Sequence, residues 1–280
     1  MIAILALTVT LWASAFVAIR FAGRELGPGP LALGRLLTGS LALGAMMVVR
    51  GQRVPARPAL VNVALCGVLW FGAYNVALNA AERRIDAGTA SLLVNIGPIL
   101  IVVMAGLFLH EGFPRWLLAG CAVGFTGAAV IAVGVSRHGV HATWGAVLCL
   151  VAALAYAAGV VSQKPALRHA SALPVTWLAC TVGMACCLPY APSLVTQLGH
   201  ARASDIAWTI YLGVGPTAIG FVGWAYALAR TDAGRLGATT YLVPPIATLL
   251  GWLLLGEVPP LLALPGGILC LAGVALARRR

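Results

Sequence analysis

The chain has 280 residues, 61% of them hydrophobic and only 9% charged, with 18 Lys and Arg against 7 Asp and Glu for a formal net charge of +11. Water does not solvate so much apolar surface, so a soluble globular domain is excluded. The positive charge is spread over loop after loop instead of forming one phosphate-tracking patch, which argues against nucleic acid as a partner.

Apolar runs of about 20 residues, each long enough for a hydrocarbon core of about 30 Å, follow one another. They cover approximately 2–22, 30–50, 60–80, 87–109, 115–135, 143–163, 173–192, 206–229, 235–255 and 259–277. Hydrocarbon offers the backbone no partner, so these runs are expected to be helices. In the first, Ala13–Ser14–Ala15 resembles a signal-peptide cleavage site. No basic segment precedes it and the apolar stretch continues through Phe16, Val17 and Ile19, so a retained helix carrying Trp12 is expected. The second run holds Arg35, the single basic residue set well in from the ends of a run, about 7–8 Å along the helix from Pro30. It is placed either to hold a substrate carboxylate or to snorkel towards the interface. In the third, Asn75 and Asn79 share a helix face that should look into the bundle or a wet cavity. Trp70 and Trp116 fit an interfacial aromatic belt.

The fourth run carries Gly97–Pro98 near its middle, with Asn95 three residues earlier; the ninth carries Pro244–Pro245, with Tyr241 three residues earlier. Proline lacks the N–H and clashes one turn back, so both helices should kink or loosen there. Gly120, Gly124 and Gly127 in the fifth run, and Gly266, Gly267 and Gly273 in the tenth, predict close helix packing. The sequence leaves open whether these two helices meet each other or a second subunit. Tyr156 in the sixth run and Trp224 and Tyr226 in the eighth add aromatic side chains. The seven cysteines all lie inside apolar runs, where thiols act as small apolar groups, and their spacing suggests no metal.

The chain repeats itself. A shift of 146 carries Arg84–Asp86–Ala87–Gly88 onto Arg230–Asp232–Ala233–Gly234, Pro98 onto Pro244, Glu111 onto Glu257 and Gly127 onto Gly273. A shift of 144 carries Trp12 onto Tyr156, Arg20 onto Lys164 and Pro30 onto Pro174. Two five-helix repeats follow, 1–135 and 136–280, and because five is odd the second should enter the membrane inverted. The predicted fold class is therefore an all-α polytopic membrane protein, ten transmembrane helices in two inverted five-helix repeats around a central cavity. With the N-terminus inside, the inner loops and flanks hold eleven Lys and Arg and the outer ones six, which predicts both termini in the cytoplasm.

The acids all sit in loops or at helix ends, so no carboxylate marks a proton relay at mid-membrane depth, and facilitated exchange or uniport is expected. Glu111 and Glu257 follow the broken helices, an unfavourable dipole position, and are read as loop clasps that fix where helices start rather than as gates. The candidate cavity residues are Trp12, Arg35, Asn75, Asn79, Asn95, Tyr156, Trp224 and Tyr241, with helix breaks at Pro98, Pro244 and Pro245. Asn95 and Tyr241 should flank the cavity near the two kinks. Such a wall of aromatics and amides suits small, partly apolar solutes with polar ends.

Trp12–Ala–Ser–Ala–Phe16, Pro30 with Arg35, the block Ala87–Gly88–Thr89–Ala90 with Pro98 and Glu111, and its copy Ala233–Gly234 with Pro244 and Glu257 occur in a fixed order. On these residues the chain resembles, over almost its full length, the EamA-type transporters of the drug/metabolite transporter superfamily. It is most similar there to bacterial exporters of amino acids and aromatic metabolites. The resemblance implies ten helices, a central cavity and export of small metabolites across a bacterial inner membrane. No cofactor or metal is expected; the partners are the bilayer and a small-molecule substrate. Two other readings remain at this level. His200 and Asp205, five positions apart, match a short acyltransferase spacing and would suit a membrane-embedded transferase. A channel-like pore would need a charged or carbonyl-rich filter, which the sequence does not display.

Overall fold

The computed structural model describes residues 1–23, 25–55, 57–84, 93–135, 144–256 and 261–279. Among the described residues all regular structure is helical. In chain order the helices are α1 (Ile2–Ala22), α2 (Pro28–Val49), α3 (Arg57–Ala81), α4 (Gly97–Phe108), α5 (Arg115–Val133), α6 (Trp144–Ala166), α7 (Ala172–Leu198), α8 (Ala203–Leu228), α9 (Ala233–Leu254) and α10 (Ala263–Ala277). All except the shorter α4 and α10 are long and apolar enough to cross a membrane. Asp86–Ala90, Glu257 and Pro260, all parts of the repeated pattern, lie outside the described residues. The bundle turns Leu41, Val48, Leu107, Leu154, Trp252 and Leu264 outward, an apolar surface that lipid accepts and water does not. The chain is a multi-pass membrane protein.

The helices pack reciprocally. α5 lies along α10 and α2 along α7; α1 touches α8 and α9, while α6 touches α3 and α4; the start of α9 rests on α4. The glycines of α5 and α10 thus serve each other. A Cβ on Gly127 would stand 2.6 Å from both the Cys270 nitrogen and the Gly266 oxygen, and one on Gly266 2.7 Å from the Gly127 oxygen. Only glycine allows backbones so close.

Four helices are interrupted. α3 widens to a π-helix over Gly67–Ala73 and α8 over Gly213–Gly220, positions that the 146-residue shift superimposes at Gly67 and Gly213. α9 tightens to a 3-10 turn over Thr239–Leu242 and resumes at Val243, with Pro244 and Pro245 in the new first turn. The two missing N–H groups account for this interruption. Pro98 is placed alike: helical turns at Leu93–Val94 give way to a turn at Asn95–Ile96, and Pro98 lies in the first turn of α4, where an absent N–H has no intrahelical partner to lose. α7 continues beyond the predicted end at 192 through a 3-10 turn at Leu188–Tyr190 to Leu198. That extension brings the Gln197 Oε1 within 2.7 Å of the Gly27 N–H at the start of α2.

The α5–α10 contact is open to direct test. Gly127→Leu is expected to lower the thermal unfolding midpoint in detergent, because overpacking a tight contact costs about 1–3 kcal/mol or more. Gly267→Ala, whose nearest neighbour would be Pro245 at 3.5 Å, should leave the midpoint unchanged.

Candidate functional site

A cleft with roughly 730 Å³ of atom-free space, counting its open mouth, lies between the two halves. Trp12, Phe16 and Ile19 of α1, Arg35 of α2, Trp70, Tyr74 and Leu78 of α3, Asn95 and Pro98 at the start of α4, Tyr156 of α6, Phe221 of α8 and Thr240 and Val243 of α9 line it. It lies towards the end of the bundle where α1 and α3 finish and α2 and α4 begin.

Its floor and wall are aromatic. The Trp12 ring lies 5.0 Å from Trp224, 5.3 Å from Phe221 and 6.0 Å from Trp70, while Trp70 lies 4.7 Å from Phe221 and 5.3 Å from Tyr156. Edge-on and tilted pairs at these separations are the favourable ring geometries. Two glycines make room for them: a Cβ at Gly159 would be 2.5 Å from the Trp70 Cβ, and one at Gly97 2.6 Å from the Tyr156 ring.

The π-turns tie this wall to the backbone. A wider turn frees carbonyls from the i→i−4 ladder, and in hydrocarbon each freed group needs another donor. The Trp12 Nε1 donates to the Pro216 oxygen at 3.2 Å and the Thr8 hydroxyl to the Gly220 oxygen at 3.4 Å. The Asn75 amide donates to the Trp70 and Phe71 oxygens at 3.3 and 2.8 Å. The π-turn of α8 also supplies Thr217, whose Oγ1 accepts the Arg35 Nε–H at 2.7 Å; Arg35 is 7% exposed and faces the cleft. The cleft therefore offers one fixed cation, an aromatic wall and the Asn95 amide, with no carboxylate among its described lining residues.

At the opposite end the halves are clasped. After α4 the backbone turns left-handed at His110 (φ 59°) and Gly112 (φ 70°), and the Glu111 N–H returns to the Ala105 oxygen at 3.3 Å. This swings the Glu111 carboxylate away from its own helix end. It accepts the Ala233 and Gly234 N–H groups at 2.8 and 3.1 Å and pairs with Lys164 at 2.7 Å. Lys164 also donates to the Thr231 oxygen at 2.7 Å. The dipole position expected to be unfavourable is thus a favourable one: the acid sits at the N-terminus of α9. Glu257 lies outside the described residues.

Of the eight candidate residues, Trp12, Arg35, Asn95 and Tyr156 meet at the cleft. Arg35 does not snorkel; it points at Thr217. Asn75 serves the π-turn instead, and Asn79 is turned to the Pro28 oxygen at 3.0 Å, tying α3 to the start of α2. Trp224 is fully buried beneath the aromatic floor. Tyr241 is fully buried against Gly124, in the cluster that joins α5 and α10. Tyr226 is exposed, with the Arg230 guanidinium 3.6 Å above its ring. Trp70 is the main correction: only 2% exposed, it belongs to the centre of the aromatic cluster and not to an interfacial belt. The signal in the sequence is its repeat partner Pro216, a helix breaker inside an apolar run; in the fold the Pro216 oxygen accepts the Trp12 N–H. Asp205, offered as a transferase aspartate, accepts the Arg202 N–H at 3.2 Å and caps α8, which leaves His200 without it.

Residues 1–133 and 143–279 each match the profile of the EamA-like transporter family. A protein of Streptantibioticus cattleyicolor described as a probable terminal-alkyne amino-acid exporter is 43% identical over 278 residues, covering 99% of this chain and 92% of that one. A Salmonella typhimurium protein described as a probable amino-acid metabolite efflux pump is 27% identical, covering 96% of this chain and 91% of its own. A solved crystal structure with 22% identity shares the fold at a TM-score of 0.80, over 98% of this chain and 95% of the other.

The left-handed His110 generates a prediction. The copy has Gly256 at the corresponding position, also left-handed (φ 67°). Because glycine adopts that region without the Cβ clash, His110→Gly should raise the unfolding midpoint, and Glu111→Ala, which strips α9 of its cap, should lower it. Thermal unfolding in one detergent checks both.

Proposed function

We propose that this chain, which belongs to the EamA-like transporter family, is a secondary carrier that exports or exchanges amino acids and related polar or aromatic solutes by alternating access. It is a transporter and not an enzyme. The observation that carries the reading is a cleft between the halves, holding Arg35 against an aromatic wall, opposed by the Glu111–Lys164 clasp at the other end of the bundle.

Ten spanning helices in two inverted repeats, 1–135 and 136–280, are supported by the duplicated family match and by the reciprocal packing. With both termini in the cytoplasm, as the basic loops favour, the cleft faces outward and the clasp faces the cytoplasm. In a bacterial inner membrane this is the outward-open, inward-closed state of a carrier. A clasp across the pathway also speaks against a permanently open pore.

The substrate class follows from the lining. The Arg35 guanidinium is the cation that meets a carboxylate, and the aromatic faces take an apolar side chain and attract an ammonium group. A cationic drug finds no counter-charge among the described lining residues. The relatives named for amino acids point the same way.

Proteoliposomes test this. Counterflow of radiolabelled L-phenylalanine or an alkyne-bearing amino acid is expected to saturate and to be stimulated by unlabelled solute inside. Linear, unsaturable flux would indicate a channel, and absence of flux for both solutes would overturn the amino-acid reading. Arg35→Ala should raise KM about 10–100-fold, the equivalent of a charge-assisted hydrogen bond of about 1.5–3 kcal/mol. Arg35→Lys, which keeps the charge but not the fork, should fall between.

A further inference from the structure

Resting on the carrier reading, we infer that Gln163 and Trp224 form a second polar contact point for the solute, lining the pathway when the bundle opens at the clasped end. The two halves place equivalent residues in unequal surroundings. On the shift of 144, Phe16 and Ile19 correspond to Val160 and Gln163; on the shift of 146, Leu78 corresponds to Trp224. Phe16, Ile19 and Leu78 line the open cleft. Their counterparts Val160, Gln163 and Trp224 are each 0% exposed. In a carrier built from inverted repeats, the two halves exchange conformations between states, so residues equivalent to the lining of one mouth become the lining of the other.

The chemistry of the closed positions agrees. Neither the Gln163 Nε2 nor its Oε1 has a hydrogen-bond partner, and neither does the Trp224 Nε1. A fully buried amide with both ends unpaired is costly in an apolar interior, and an aliphatic residue there, as Ile19 and Leu78 are in the other half, would avoid that cost. The polarity has no use in this conformation. Gln163 shares a helix face with Tyr156 of the cleft, two turns closer to the clasp, and directly precedes Lys164, which the clasp holds. Separating Lys164 from Glu111 therefore frees the end of α6 that carries Gln163. Once wetted, its amide presents two donors and an acceptor to the carboxylate and ammonium of a zwitterionic solute, and Trp224 adds an N–H.

Gln163→Leu separates this role from a structural one. The wild type and variant are compared for radiolabelled L-phenylalanine counterflow, for binding from the cleft side by quenching of tryptophan fluorescence, and for thermal midpoint. Expected are at least a 10-fold loss of counterflow, cleft-side affinity within about 2-fold of wild type and a midpoint equal or higher, since an unpaired amide is removed. Gln163→Asn, which retains an amide, should recover part of the rate. Trp224→Phe, which keeps an aromatic ring but removes the pyrrole part of the indole with its N–H donor, should slow counterflow several-fold, with a modest fall in midpoint from the space left behind. Wild-type rates in Gln163→Leu, or a lowered midpoint in Gln163→Leu together with wild-type rates in Trp224→Phe, overturn the inference. Absence of flux for both L-phenylalanine and the alkyne-bearing amino acid in the wild type itself instead overturns the amino-acid reading on which the inference rests.

Discussion

Every backbone carbonyl released inside hydrocarbon has to find a donor, and the architecture of this protein turns on where that happens. The π-turns of α3 and α8 and the 3-10 turn of α9 release carbonyls inside the bundle. Trp12, Thr8 and Asn75 satisfy those of the π-turns, and the Thr239 and Thr240 hydroxyls return to the Leu236 and Gly237 oxygens. These bonds lock α1 to α8, seat Trp12 among Trp70, Phe221 and Trp224, and present Thr217 to Arg35. An uninterrupted helix would leave no such acceptors. The cleft is thus a consequence of how the helix breaks are satisfied, not merely of a gap between helices.

Around that cleft, symmetric and asymmetric features divide by task. The glycine contact of α5 with α10 uses near-equivalent residues from both halves and has the same job in each. The cleft does not repeat: Trp12 is matched by Tyr156, and Arg35 by Ala179, which is buried and apolar. The clasp joins the halves directly, since Glu111 follows α4 while the N–H groups its carboxylate accepts belong to the start of α9 and Lys164 ends α6. A charge at the N-terminus of another helix is favourable and partly shielded from water, but it remains separable because the groups it links sit at helix ends.

How much of this could be read in the sequence depended on how local the determinant is. Hydropathy and proline placement are local, and the helices and the interruption of α9 follow from them; that Trp12, Arg35, Asn95 and Tyr156 share one cleft is seen only in the fold. The direction of a side chain is not local. Asn75 and Asn79 share a face as predicted, yet one closes a π-turn and the other binds α2, because their partners lie on backbone whose course the spacing does not reveal. Trp70 reads as interfacial by residue type, and only the absence of a side chain at Gly159, on another helix, makes the buried position available. Tyr241 follows the same rule, turned towards Gly124.

By itself, then, the sequence determined that this is a membrane-embedded bundle written twice, broken at matched prolines and glycines, with one cation set well inside an apolar run. Those properties rest on the cost of burying charge and unpaired backbone, which each segment carries on its own. Tertiary structure decided which carbonyls the breaks release to which side chains, which aromatic rings meet, that α5 and α10 are each other's partners, and that Glu111 caps a helix more than one hundred residues away. Those outcomes rest on close approach between distant segments, and only the folded bundle supplies it.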